Sequence, residues 1–240
     1  MRKILLSDYT IAAGYKCVEI PKGKVAINTI NAYSWVMADQ DLEFRKSLIN
    51  SDYLLPDGIA IVWALRFLKK EKIQKIAGAD LHDMVLKTLN KVHGKCFYLG
   101  ASESTLQKIK KRLSIEYPNI VVETFSPPFK PVFSVEDNME MIKRINDFAP
   151  DALFVGMTAP KQEKWIMQNI DEITSHIVCG IGAVFDFYAG TKNRPPMWMI
   201  NCGLEWLGRL ISDPKRLWKR YIIYNPVFIW KIFKLYLQGK

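Results

Sequence analysis

The chain has 240 residues, of which 49% are apolar and 24% charged, and its 34 Lys and Arg against 24 Asp and Glu give a net charge of +10. That balance belongs to a folded globular protein with one sizeable core and excludes disordered, collagen-like and low-complexity chains. No apolar run reaches the ~18 residues of a membrane-spanning helix, and the run after Met1-Arg2-Lys3 is too short for a secretory leader, so the sequence reads as a cytosolic chain.

In chain order, the apolar pattern predicts a strand over 24–30, a helix running on to about Ile49, and a short strand over 52–55 ending in Pro56-Asp57-Gly58. Helices are predicted over 59–68 and 79–92. Strands over 96–100, 120–125, 152–156 and 177–181 then alternate with helices over 103–116, 136–148 and 160–170. Such alternation implies parallel pairing with right-handed crossovers, hence an α/β, Rossmann-like layered fold with a mainly parallel sheet. Ligands of such sheets sit beyond the carboxyl ends of the strands. Here those ends carry Thr29-Ile30-Asn31, Pro56-Asp57-Gly58, Gly100-Ala101-Ser102, Gly156-Met157-Thr158 and Gly180-Ile181-Gly182.

After about Gly190 the alternation stops. Residues 203–211, 214–224 and 227–237 read as short helices divided by Pro214 and Pro226. Residues 194–240 hold nine Lys and Arg (Arg194, Arg209, Lys215, Arg216, Lys219, Arg220, Lys231, Lys234 and Lys240) against Glu205 and Asp213, so +7 of the +10 lies there. So do four of the seven Trp: Trp198, Trp206, Trp218 and Trp230. A catalytic α/β body over 1–193 and a basic, aromatic helical appendage over 194–240 follow, the appendage suited to an anionic surface.

Cys17, Cys96, Cys179 and Cys202 form no CxxC pair and read as buried thiols, and His82, His93 and His176 show no i, i+4 pairing. A zinc site or a His-centred nucleophilic triad is therefore not expected. Asp39-Gln40-Asp41 matches the Asp-x-Asp pattern by which many sugar transferases hold a divalent ion. It falls inside a predicted helix, however, and reads as a solvated face, leaving no metal site. Gly180-Ile181-Gly182 lacks the third small residue of a dinucleotide fingerprint, since Phe185 stands in its place. No cofactor is expected. Asp57, after a strand and before a helix, is either a helix-capping aspartate or a general base at the mouth of the sheet. The segment Met157 to Trp165 opens a helix with Pro160 near its start and Lys161 beside it, which suits a diphosphate.

Together these segments resemble one family. Thr29-x-Asn31-Ala32, Pro56-Asp57-Gly58, Gly78-Ala79-Asp80-Leu81, Phe97-Tyr98-Leu99-Gly100, the run from Val155 to Trp165 and the run from Gly182 to Gly190 stand in its order. Arg194-Pro195-Pro196-x-Trp198, Gly203-Leu204-Glu205-Trp206 and Pro214-x-Arg216-x-x-x-Arg220-Tyr221 follow. The chain is similar over about residues 24–226 to the WecG/TagA/CpsF family of bacterial glycosyltransferases.

The resemblance implies a metal-independent, inverting transfer of N-acetylmannosamine, its uronic acid or a related hexose. The donor would be a UDP-sugar and the acceptor a polyprenyl-diphosphate-linked saccharide at the inner membrane face, in teichoic acid, capsule or exopolysaccharide assembly. It makes Asp57 the base, puts Thr29 and Asn31 beside the donor sugar, and puts Gln162 and Asp186 near the nucleotide-sugar. Arg209, Arg216 and the Lys219-Arg220 pair would complete the site, with Lys231, Lys234 and Lys240 left for lipid. Gly58 and Gly100, at strand ends, join the substrate-binding candidates. Lys75 also joins them, standing where members usually carry Arg, so that a bidentate phosphate contact becomes a point charge. Pro127-Pro128-Phe129 replaces a more Gly-rich loop, and residues 8–23 form a shorter segment than usual.

The chemistry fits the residues by themselves. A carboxylate beyond the sheet can take the proton of an attacking hydroxyl. The charge growing on a departing UDP needs a metal or fixed cations, which the arginine-rich tail supplies. A nucleic-acid-binding protein is the competing reading of that tail. The alternation of its cations with Ile, Leu, Phe and Trp suits a bilayer interface better, and no nucleic-acid partner is expected. An epimerase acting on nucleotide-sugars would need a nicotinamide cofactor, for which there is no fingerprint.

Overall fold

Period-two apolar alternation sorts the strand side chains onto two faces, and helices cover both. The structure, a computed structural model, describes residues 2–17 and 19–239. In chain order it runs β1 (Lys3–Leu6), β2 (Tyr9–Ala12), β3 (Val25–Ile30), α1 (Ala32–Ala38), α2 (Leu42–Ile49), β4 (Tyr53–Pro56), α3 (Ile59–Lys69) and α4 (Gly78–Val92). There follow β5 (Lys95–Gly100), α5 (Glu103–Glu116), β6 (Val121–Phe125), α6 (Val135–Phe148), β7 (Ala152–Gly156), α7 (Lys161–Asn169), β8 (Ile177–Gly180) and α8 (Val184–Tyr188). Beyond the sheet come α9 (Met197–Asn201), α10 (Glu205–Ser212), α11 (Pro214–Trp218), a π-helical turn (Lys219–Ile223) and α12 (Tyr224–Leu237).

The eight strands form one sheet in the order β1-β2-β4-β3-β8-β7-β5-β6, parallel except for the β1–β2 hairpin. The α/β, mainly parallel architecture expected from the alternation is the one observed. Cys96, Tyr98, Phe154 and Cys179 pack on one face with α4 and α5. Their neighbours Phe97, Leu99, Leu153, Val155 and Val178 pack on the other with α6 and α7. A third cluster joins β1, β2, β4 and the end of β3 to α1, α2 and α3. The order of strands reverses beside β3, so the ends of β3, β4 and β8 border the crevice where α/β sheets bind ligands.

Two local readings are corrected. The helix predicted from residue 31 to about 49 is two helices: the side chain of Asp41 caps α2 by accepting the Phe44 N–H at 3.0 Å. Asp41 is therefore a capping residue and not part of a solvated helix face. Pro226 does not divide the tail, since it occupies the first turn of α12, where its missing N–H costs no helical hydrogen bond. The segment after Gly182 forms the short helix α8. The β1–β2 hairpin and α9 carried too little periodic sequence to be assigned in advance.

The tail helices stand outside the sheet but α12 is bolted to the body. Phe228 and Ile232 are buried in the third cluster, with Phe228 edge-on to Trp35 at 5.6 Å between ring centroids. Tyr224 meets Tyr33 edge-on at 5.1 Å, and Lys231 pairs with Asp39 at 2.8 Å. The outer face of the tail leaves Ile211, Trp218, Ile222 and Trp230 exposed. Among the described residues, no helix is long and apolar enough to cross a membrane.

Candidate active site

A cavity of about 1070 Å³ opens beyond the ends of β3 and β4, between α3 and the tail helices. Asn31, Asp57, Gly58, Lys75, Glu205, Arg209 and Arg220 stand at its polar end. Asp57 is positioned by backbone: its N–H donates to the Ile30 carbonyl at 2.9 Å, and the Ile76 N–H donates to the Pro56 carbonyl at 3.0 Å. Gly58 has φ of +108°, which lets the chain turn into α3 immediately after Asp57, so a side chain at Gly58 would be strained. Asn31 caps α1, its side chain accepting the Ser34 N–H at 3.1 Å, and faces the cavity from there.

The electrostatics turn on Glu205, at the start of α10. Its carboxylate receives Lys75 Nζ at 2.5 Å and the Arg209 guanidinium, with Arg194 Nε at 3.9 Å. Burial alone would raise the Glu205 carboxyl. Arg209, Lys75 and Arg194 outweigh it and hold the group below the usual carboxylate range. Asp57 behaves in the opposite way. It keeps some surface in the cavity, yet the protein around it desolvates the carboxyl and raises its pKa, aided by Glu205 and opposed by Arg209, Arg220 and Lys75. Arg209 Nε is buried without a hydrogen-bond partner, and Arg220 lies over the Tyr33 ring at 4.8 Å. Both therefore keep donor capacity for an anion.

A second polar group lies at the end of β8. Gln162 Nε2 donates to Glu163 Oε1 at 2.9 Å, while Gln162 Oε1, Glu163 Oε2 and Asn28 Oδ1 are buried without partners. A Cβ on Gly182 would lie 3.3 Å from Gln162 Oε1, and one on Gly180 only 2.5 Å from Asn28 Oδ1. Burial pushes the Glu163 carboxyl up to about 7, against the hydrogen bond from Gln162, its own backbone N–H and the Arg220 charge.

The other sequence candidates stand apart from the cavity. Arg216 is half exposed and pairs with Asp213 at 2.8 Å. Asp186 accepts from the Thr191 hydroxyl at 3.3 Å. Thr29 is half-buried in β3, one residue before the strand ends. Gly100 has φ of +120° and would press a Cβ to 2.5 Å from the Gly156 carbonyl, so backbone packing accounts for that glycine. Lys219 is exposed and lies over Trp218. Sequence reasoning gave no role to Glu205 or Glu163. The signal for Glu205 was its being one of two acids among nine tail cations.

Neither aspartate of the Asp-x-Asp match is free. Asp39 holds Lys231, and Asp41 holds Lys164 at 2.6 Å beside Glu43 at 3.2 Å. Among the described residues, no group of three or more His, Cys, Asp and Glu side chains is placed to hold a metal ion.

Because folding raises the Glu163 pKa, its stabilising contribution is full below the unfolded value near 4.5 and is lost as pH rises through about 7. Glu163→Gln removes that loss. In thermal unfolding, the variant is expected to gain on the wild type by about 2–3 kcal/mol between pH 5 and pH 8. A difference between the two proteins that stays constant over that range would contradict it.

Comparison with known proteins supplies the family. The Glycosyl transferase WecG/TagA/CpsF family profile matches residues 8–240. An N-acetylglucosaminyldiphosphoundecaprenol N-acetyl-beta-D-mannosaminyltransferase of Bacillus subtilis (strain 168) is 33% identical over 196 residues, covering 82% of this chain and 74% of that protein. A protein of the same name from Staphylococcus aureus (strain MW2) is 36% identical over 188 residues, covering 78% and 71%. The polar cavity at the strand ends is thus the candidate active site of a glycosyltransferase, and the chain belongs to the WecG/TagA/CpsF family.

Proposed function

We propose that this glycosyltransferase moves N-acetylmannosamine, its uronic acid or a related hexose from a UDP-sugar to a polyprenyl-diphosphate-linked saccharide, with inversion and without a metal. The observation that carries the reading is one unpaired carboxylate, Asp57, facing a cavity whose other carboxylate, Glu205, is already spent on three cations. The printed names of the relatives supply the acceptor class and N-acetylmannosamine.

In this reading Asp57 accepts the proton of the acceptor hydroxyl as its oxygen bonds to the anomeric carbon. The bond from that carbon to the UDP oxygen breaks, and the electron pair leaves with UDP. A single displacement needs one carboxylate and inverts the centre. A desolvated Asp57 with a raised pKa is a better base than a solvent-exposed aspartate. Arg209 and Arg220 face the growing charge on the diphosphate, where fixed cations act without reorganising. Asn31 is assigned to the donor-sugar side; Thr29, Gln162 and Asp186 do not line the cavity and are given no contact in it. Arg216, outside the cavity and paired with Asp213, has no part in this scheme.

Residues 194–240 act as a unit that completes the site and holds the enzyme on the inner face of the cell membrane. Its exposed Trp198, Trp218 and Trp230, with Lys215, Lys219 and Lys234, suit an anionic bilayer at ~1 kcal/mol per well-placed cation. Lys231 is engaged by Asp39 and adds little to that contact, and Lys240 lies outside the described residues. The inward turn of Arg194 and Arg209 onto Glu205 disfavours a nucleic-acid face, which needs its cations outside.

A panel of UDP-sugars assayed with a short-chain polyprenyl-diphosphate acceptor tests the reaction. On the preferred donor, Asp57→Asn is expected to lower turnover ~10²–10⁴-fold while UDP binding persists. Retention of half the wild-type rate would remove Asp57 from this role. Turnover is also expected to survive EDTA. Complete loss that Mg²⁺ or Mn²⁺ restores would show a metal requirement.

A further inference from the structure

The polar end occupies only part of the cavity. The rest is an apolar arm running between α3 and α12, lined by Ala60, Trp63 and Phe67 on one side and Ile229 and Phe233 on the other. Ala60, Trp63 and Phe67 recur at helical spacing, so one face of α3 is turned to the arm, and the small Ala60 and Ala64 leave a trough beside the large rings. A soluble domain normally buries such a face. Here Trp63 is 62%, Ile229 65%, Phe67 43% and Phe233 44% exposed. Unpaired apolar area of this kind, continuous with a polar site, marks a place where something apolar is bound.

We propose that the arm receives the first few isoprene units of the acceptor's lipid chain, so that the acceptor is held by its chain as well as by its sugar and diphosphate. The proposal rests on the acceptor class assigned above. It follows from the order of chemistries along one cavity. Asp57 and the cations Lys75, Arg209 and Arg220 stand at one end and a continuous hydrocarbon-compatible surface leads away from them, complementary to a ligand with an anionic head and an apolar chain. From Ile59 to Phe67 helix α3 rises about 12 Å, which takes the proximal part of a polyprenyl chain and leaves the remainder outside. At the far end Phe67 packs on Tyr236 with ring centroids 4.8 Å apart, and exposed Arg66, Lys69 and Lys234 flank this pair in sequence. Those cations suit an anionic bilayer surface, so the chain passes from the trough directly into lipid. The helices of the tail thus form one wall of a lipid channel as well as an anchor.

The test uses the full chain in solution without vesicles or micelles. Acceptors carrying the same saccharide and diphosphate, with a methyl group or one, two or three isoprene units, are compared by kcat/KM. For the wild type, kcat/KM is expected to rise at least about tenfold from methyl to the longest chain, the effect of burying a few methylene groups. Trp63→Glu and Phe233→Glu each place a charge in the arm at a half-exposed position that folding tolerates, and each is expected to reduce the rise to less than about threefold. Equal kcat/KM for all acceptors in the wild type, or the full rise kept in both variants, would overturn the proposal. So would variants that lose binding to anionic vesicles while keeping the chain-length dependence, since the arm would then meet bilayer lipid alone. Absence of transfer to any acceptor from any UDP-sugar would instead refute the proposed reaction, whereas transfer indifferent to chain length refutes only the lipid channel.

Discussion

The candidate site depends on a buried carboxylate of the tail that is shared between two cations of the tail and one of the body. Glu205 opens α10, Lys75 lies between α3 and α4, and Arg194 and Arg209 flank Glu205 in sequence. Withdrawing these charges from water is costly, and only mutual pairing at close range offsets it. Removing Glu205 leaves three cations without their shared partner in a low-dielectric place. The cluster is therefore a registration device. It holds the tail at one position against the sheet, with Arg209 turned into the cavity beside Asp57. Phe228 and Ile232 on α12 add the apolar half of the attachment, in a cluster shared with Trp35.

In the proposed reaction the same cluster acts on the base. Asp57 lies among two opposing influences, burial and Glu205 raising its pKa while Arg209, Arg220 and Lys75 lower it. A base that must take a proton and then release it works best between the extremes. A lysine at position 75, where the resemblance implies an arginine, also becomes legible. A point charge suffices for one Glu205 oxygen, and at 2.5 Å from it Lys75 serves the carboxylate that fixes the tail.

Much of the architecture was visible in the sequence because each layer writes its own period. Cys96, Tyr98, Phe97 and Leu99 alternate between two cores, and Leu81, Val85 and Leu89 recur at helical spacing. The short β1 and β2 strands could not be seen, since four residues hold too little periodicity. Pro226 misled because a proline in a first turn and a proline at a break look alike without the preceding π turn. Asp57, Gly58, Asn31, Arg209 and Arg220, which line the cavity, were named as candidates from strand ends and from the family resemblance. Glu205 was not, because its body partner is far away in sequence: Lys75 lies 130 residues from it. Arg216 matched the motif yet faces Asp213, since motif spacing does not report which side of a short helix meets the cavity.

The central claim is that the tail, through Arg209, tunes a base on the sheet. The pH dependence of kcat/KM for Arg209→Gln against the wild type, on a saturating acceptor and limiting UDP-sugar, measures this directly. Arg209 lowers the Asp57 pKa, so its loss is expected to move the acid limb of the profile to higher pH, in addition to any fall in rate. An acid limb that stays in place while the rate falls would mean that Arg209 contacts substrate without acting on Asp57, and would contradict the account.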